Sequence, residues 1–285
     1  MKTNGSMNRV ITITSGKGGV GKTNIVSNLA IALAKFGKKV LLLDADLGLG
    51  NLDILLGLKP KKNLSDVLIE GKNIRDMIIE GPMGVKILPA SSGVLELTNL
   101  SENQKLQLLS ELESLNGEFD ILMIDTGAGI SSNVMYFNIA AQDIIVIITP
   151  EPTSIHDSFA LMKILSSNYD EKYFKVLVNF ARNPKEGFLV FKKLMSLVEE
   201  SFEASVDYLG QISYDKNVPK AVRKQKAVIE AFHDSPASMD FFKIAEKICV
   251  LQNKELPKGN IQFFWKYLLE EKKLKKGLEN CFKIN

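Results

Sequence analysis

The sequence predicts an α/β domain, a mostly parallel central sheet flanked by helices, followed by a C-terminal amphipathic helix. Three observations carry that prediction. β-rich runs and helical stretches alternate along the chain. Some runs, notably Ile121–Ile124 and Ile144–Ile148, are apolar at every position, as strands covered on both faces are. A glycine-rich loop lies between the first run and the first helix, where such sheets bind phosphate.

Taken in order, the spacing predicts strands at Arg9–Ser15, Val40–Asp44, Val85–Leu88, Asp120–Asp125, Asp143–Thr149, Phe174–Asn179 and Val206–Ile212. The helix Lys22–Phe36 is closed by Gly37 ahead of Lys38 and Lys39. Further helices are expected at Ser101–Leu115, Ser132–Ala141, Ser154–Ser166 and Lys185–Glu200, and a last one over about Pro236–Leu251 carries Cys249 on its apolar side. Asn253–Asn260, with Pro257 and Gly259, reads as a linker. The chain thus divides into a disordered start over 1–8, a domain over 9–253, a linker over 254–260 and a tail over 261–285.

Composition bounds the function. At 285 residues, with 45% hydrophobic and 24% charged residues, the chain is an ordinary globular protein and not a disordered or fibrous one. No apolar run approaches the roughly 18 residues of a membrane span, and Met1–Asn8 lacks a signal-peptide core, so a cytoplasmic protein is expected. Cys249 and Cys281 form no disulfide framework, and His156 and His233 stand apart, so no zinc or iron–sulfur site is expected. Residues 258–285 carry seven lysines against three glutamates, a net +4, which leaves the preceding 257 residues at −1 of the overall +3. A near-neutral body with a basic tail points to local attachment more than to a broad nucleic-acid surface, and no specific nucleic acid is expected.

The loop Gly16-Lys17-Gly18-Gly19-Val20-Gly21-Lys22-Thr23 fits G-x-x-x-x-G-K-[ST] in a strand–loop–helix context, so the domain is read as a single P-loop NTPase domain. Its backbone N–H groups would cradle phosphate, Lys22 would bridge the β- and γ-phosphates, and the Thr23 hydroxyl would ligate Mg²⁺. Gly16, Gly18 and Gly21 also satisfy G-x-G-x-x-G, with Asp44 near the place of a ribose-binding acid. Lys22 and Thr23, which a dinucleotide site does not need, favour the mononucleotide. Two further strands end in aspartates, Asp44 with Asp46 and Asp125 before Thr126-Gly127-Ala128-Gly129. Strand C-termini line the ligand crevice, so these acids converge on the phosphates, with Asp125 placed to hold Mg²⁺ through water. Taken singly, each aspartate is also an ordinary turn-former.

These residues resemble the deviant phosphate loop of the MinD/ParA ATPases, with Lys17 as its signature lysine. Asp44–Asp53, Asp125–Ile130, Thr149–Ser154 and Val218–Ser238 look like its flagellar branch, called FlhG, FleN or YlxH, a regulator of flagellar number and placement. The similarity runs from about Arg9 to about Phe264. It implies that Lys17 reaches across a dimer to the partner's ATP, that Asp46 orients the attacking water and that Asp44 supports the Mg²⁺ shell. Asn179 and Asp215, in the Ser213–Asp215 loop, match positions around adenine, and Gly18, Gly19, Val20, Gly21, Lys22 and Thr23 match the phosphate cradle. Asn24 stands where the family usually has Thr or Ser; its amide still offers a hydrogen bond, but the hydrolysis rate is open. Met1–Asn8 lacks the Asp-Gln-Ala-like segment with which such proteins stimulate the FlhF GTPase. Docking to FlhF, to flagellar switch-ring proteins or to a flagellar transcription regulator remains within the resemblance.

In the tail, Phe263, Tyr267, Leu274, Leu278 and Phe282 form one apolar stripe at 100° per residue, widened by Phe264, Trp265, Leu268 and Leu269. Lys266, Lys272, Lys273 and Lys276 fall opposite, the pattern of an interfacial helix on an anionic membrane; a terminal helix packed on the body is the alternative. The expectation is therefore a slow ATPase that dimerises in ATP and Mg²⁺, sits at the inner face of the cell membrane and recruits flagellar proteins. A MinD-like division-site ATPase, a ParA-like partitioning ATPase and an ATP-holding scaffold are the alternatives.

Overall fold

A computed structural model of the chain describes residues 9–90, 94–251 and 263. Its strands are β1 (Arg9–Ser15), β2 (Val40–Ala45), β3 (Ile79–Glu80), β4 (Lys86–Leu88), β5 (Ile121–Ala128), β6 (Asp143–Ile148), β7 (Tyr173–Ala181) and β8 (Ser205–Ser213). They form one sheet in the order β3-β4-β2-β5-β1-β6-β7-β8, parallel throughout except for the β3–β4 pair. β1 therefore lies between β5 and β6, deep in the sheet.

The helices are α1 (Lys22–Lys35), α2 (Leu52–Leu55), α3 (Leu64–Leu68), α4 (Glu102–Glu113), α5 (Ser132–Ala140), α6 (Pro152–Tyr169), α7 (Pro184–Glu199), α8 (Asn217–Arg223), α9 (Val228–Ala231) and α10 (Pro236–Val250). The all-apolar strands are covered on both faces. Ile145 and Ile147 of β6 pack with the α1 and α10 side, while Ile144, Val146 and Ile148 pack with α6 and α7. In β5, Ile121 and Met123 face the first layer, and Leu122 and Ile124 face α4 and α5. Cys249 packs against the first layer, as its place on α10 implies.

The expected strands and long helices all form, with ends displaced by up to three residues. Proline at the first turn lets α6 begin at Pro152, ahead of the expected Ser154. β3, α2, α3, α8 and α9 were not in the sequence-based expectation. Each is too short to show a period. Among the described residues no helix is long and apolar enough to cross a membrane.

Residues 1–8, the linker 254–260 and the tail residues Phe264, Trp265, Tyr267, Leu268, Leu274, Leu278 and Phe282 lie outside the described residues. Phe263 does not, and here the structure corrects the lipid-facing assignment. Its side chain is fully buried, its N–H donates to the Ala140 carbonyl at 3.0 Å, and its ring lies 5.9 Å from that of Tyr136 and 6.4 Å from that of Phe137. Tyr136 and Phe137 of α5 offer an aromatic seat that the helical wheel could not reveal.

Candidate functional site

The buried strand β1 ends at Ser15, and the chain turns through Gly16–Gly21 into α1. Gly21 has φ 89°, and among the described residues no side chain caps α1, so its first-turn N–H groups stay open to a ligand. A Cβ on Gly16 would stand 2.1 Å from the carbonyl carbon of Asp157 in α6, so only glycine lets the loop pass so close to that helix.

The two loop lysines point to different places. Lys22 Nζ donates to Ser15 Oγ at 3.0 Å, and Ser15 Oγ donates to the Lys17 carbonyl at 2.7 Å, which folds the loop around Lys22. Burial lowers the Lys22 pKa, while Asp125 and Asp46 act to raise it. Lys17 Nζ instead reaches Glu151 Oε2 at 2.5 Å and Thr153 Oγ1 at 2.9 Å, at the start of α6. Sequence reasoning singled out the Thr149–Ser154 segment without assigning Glu151 this contact.

The three aspartates come together, in distinct roles. Asp125 is buried at the crevice, hydrogen-bonded to Thr23 and near Lys22, and burial pushes its carboxyl up to about 7. Its Oδ1 has no hydrogen-bond partner among the described residues. A buried carboxylate oxygen without a donor, beside a hydroxyl, fits a hard divalent cation. Among the described residues no three or more His, Cys, Asp or Glu side chains cluster to cage a metal. Thr23 and Asp125 suit Mg²⁺ carried in on phosphates, which retains several waters.

Asp44 is turned elsewhere. Its Oδ1 accepts from the Asp46 N–H and its Oδ2 from the Leu52 N–H, both at 3.2 Å, so it shapes the loop that carries Asp46. Burial, then the neighbouring Asp125, raises the Asp44 pKa well above the usual carboxylate range. Among the described residues Asp46 Oδ1 accepts only a long bond from the Leu49 N–H, at 3.4 Å, and it lies 3.9 Å from where a Cβ on Gly127 would sit.

Beside the phosphate loop opens a cavity of ≈ 390 Å³ lined by Gly21, Asn24, Asn179, Phe180, Tyr214, Asp215 and Arg223, among others. Its apolar floor, Ile25, Ile212 and Phe241, suits a flat heteroaromatic ring. Asn24 and Asn179 both line the cavity. Asp215 also borders it, but its carboxylate accepts from Asn217 N–H at 2.8 Å and Ala237 N–H at 3.2 Å. Burial acts to raise its pKa, and these hydrogen bonds, with one from Ser235, hold it below the usual value. Asp215 therefore ties α8 to α10. Tyr214 lies in the Ser213–Asp215 loop that the sequence singled out, whereas Phe180 and Arg223 are cavity residues that sequence reasoning missed, since nothing in their local pattern marks them.

A family model described as an AAA domain matches residues 8–176. The chain is 45% identical over 273 residues to the antiactivator FleN of Pseudomonas aeruginosa, covering 95% of this chain and 97% of that one. It is 33% identical over 266 residues to the flagellum site-determining protein YlxH of Helicobacter pylori, covering 92% and 90%. Its fold matches the septum site-determining protein MinD of Pyrococcus horikoshii, solved with Mg-ADP, at a TM-score of 0.71 and 26% identity over 85% of this chain and 96% of that one. Likeness over nearly its whole length, joined to the two-lysine loop and the Thr23–Asp125 pair, shows that the chain belongs to the FlhG/FleN/YlxH flagellar branch of the MinD/ParA ATPases.

Proposed function

We propose that this ATPase is a nucleotide-controlled dimerising switch that regulates flagellar number or placement. The observation that carries the reading is the division of labour between Lys22, drawn into its own loop, and Lys17, turned outward to Glu151 and Thr153. One lysine serves the phosphates of its own chain. The other is free to exchange a carboxylate for the phosphates of a second copy. Leu49 and Ile130, 74% and 56% exposed on the loops after β2 and β5, give such a face apolar area to bury.

In this reading Thr23 and Asp125 hold Mg²⁺, which neutralises charge on the phosphates. Loop N–H groups, Lys22 and Lys17 stabilise charge on the transferred group, and Asp46, whose carboxylate accepts a long bond from the Leu49 N–H, orients the attacking water. The tail beyond Phe263 attaches the dimer to an anionic membrane, and the dimer recruits its flagellar partner. The names of FleN and YlxH support the flagellar setting. Light scattering of Asp46→Ala tests the switch: a dimer in Mg-ATP and a monomer in Mg-ADP are expected. Deletion of 264–285 should abolish pelleting with anionic vesicles and leave dimerisation intact. A monomer in Mg-ATP overturns the reading.

One observation favours a second reading, attachment to DNA as in a partitioning ATPase. The −1 body charge hides a segregation. Lys216, Lys220, Arg223, Lys224 and Lys226 are all exposed around α8, and Gln225 Nε2 donates to the Ile54 carbonyl at 3.1 Å, bringing up the exposed Lys59, Lys61 and Lys62. None of these takes part in an ion pair among the described residues. Non-specific duplex binding in Mg-ATP that falls steeply with salt and is lost in Lys220→Glu/Lys224→Glu supports that reading; its absence leaves the membrane switch.

A further inference from the structure

β7 ends in a corner that joins the base cavity to the phosphate loop. Asn179 is 4% exposed. Its Nδ2 donates to the Val20 carbonyl at 2.8 Å, and its Oδ1 accepts from the Phe180 N–H at 2.9 Å. Phe180 has φ 60°, a left-handed conformation that strains a bulky residue, and the β7–β8 register slips between Val178 and Ala181 at the same place. Opposite stands Gly21, also left-handed at φ 89°. A Cβ there would come 2.6 Å from Asn179 Nδ2 and 3.6 Å from the Phe180 ring. The amide thus reaches the Val20 carbonyl across a space that only glycine leaves open.

A primary amide has two N–H donors and an oxygen with two lone pairs. One donor and one lone pair of Asn179 are committed inside the protein, to two different segments. Were Asn179 no more than a contact for the base, neither commitment would be needed. A strained residue held in place at the edge of a binding cavity is the mark of a backbone fixed for function.

We propose that Asn179 is a positioning residue for the phosphate loop: with the left-handed Phe180 it locks the Val20–Gly21 peptide, so that the base cavity and the phosphate loop act as one unit. The proposal rests on the reading of this loop as a nucleotide site. It separates from a base-contact role because a ligand with phosphates and no base should still sense Asn179.

The test is calorimetric titration of the full chain with magnesium pyrophosphate and with Mg-ADP, for the wild type, Asn179→Ala and Asn179→Asp. Asn179→Asp keeps the shape and the acceptor for Phe180 but has no N–H for Val20, so it covers the case in which the alanine variant fails to fold. Both variants should bind pyrophosphate about tenfold more weakly, the worth of one lost buried hydrogen bond. Pyrophosphate affinity within about twofold of wild type overturns the proposal, whether ADP affinity falls or not. If the wild type binds neither ligand, the nucleotide reading fails instead. The lock is then read from amide hydrogen exchange of residues 18–25 in the free protein, which Asn179→Asp should accelerate and which, unchanged, overturns it.

Discussion

Asp44 and Asp125 are direct neighbours, paired in register on the adjacent parallel strands β2 and β5, and both are almost wholly sealed from water. Burial raises both pKa values, and the Asp125 charge adds to the rise at Asp44 as the Asp46 charge does at Asp125. For Asp125 the folded value, about 7, lies above the ordinary 3.8, so the folded state holds a proton that the unfolded chain has released. Its contribution is fully present below the ordinary value and is lost as pH rises toward 7. The free protein should therefore lose stability between about pH 4 and pH 7, as thermal melts across that range would register. Asp125→Asn should flatten the decline, melt higher than wild type at pH 7.5 and lose magnesium-dependent hydrolysis.

The loop glycines are not equivalent. A Cβ on Gly16 would lie 2.1 Å from the backbone of Asp157, whereas a Cβ on Gly18 would meet nothing within 4 Å among the described residues, and Gly18 has no positive φ. Gly16→Ala must push the loop off α6, at a cost of about 2 kcal/mol or more, and should weaken Mg-ADP binding. Gly18→Ala should stay within about 0.5 kcal/mol of wild type. Denaturant titration distinguishes the two.

The two lysines predict opposite phenotypes. Lys22→Ala removes the cation drawn into the loop and should weaken Mg-ADP binding on the order of a hundredfold. Lys17 is half-exposed, and its pairing with Glu151 is a surface contact. Lys17→Ala should leave monomer stability within about 1 kcal/mol and ADP affinity nearly unchanged, while abolishing the Mg-ATP dimer. Equal loss of ADP binding in both variants would count against the outward role of Lys17.

Phe263 and Trp265 should also part company. Phe263→Ala empties a filled aromatic seat on α5 and should cost about 3 kcal/mol or more in denaturant melts. Trp265→Ala, in the stretch read as lipid-facing, should weaken sedimentation with anionic vesicles and leave the melt unmoved.

What was legible in the sequence is what depends on neighbours in the chain. β1, the glycine loop and α1 follow from periodicity and a fixed spacing, and Asp44 and Asp125 stand near the ends of β2 and β5, which run on to Ala45 and Ala128. What escaped depends on contacts between distant segments. The tie from Asn179 to Val20, the Tyr136–Phe137 seat for Phe263 and the meeting of Gln225 with Ile54 have no local signature. Net charge left the cations around α8 unseen for the same reason, since an average over 257 residues says nothing of where cations gather. The bonds of Asp44 to the Asp46 and Leu52 N–H groups escaped as well, because spacing brings a carboxylate to the crevice without fixing which way its oxygens turn.

The position of β1 has a kinetic meaning. It is bonded along both edges, to β5 and β6, and all seven of its residues are buried. Such a strand exchanges its amide hydrogens only when the whole domain opens. Residues exposed at the crevice, Gly18 and Gly19, can meanwhile rearrange at every nucleotide exchange. The moving part of this machine is thus hung from the segment that is last to melt, and the loop can cycle many times within the lifetime of one folded molecule without loosening its mount.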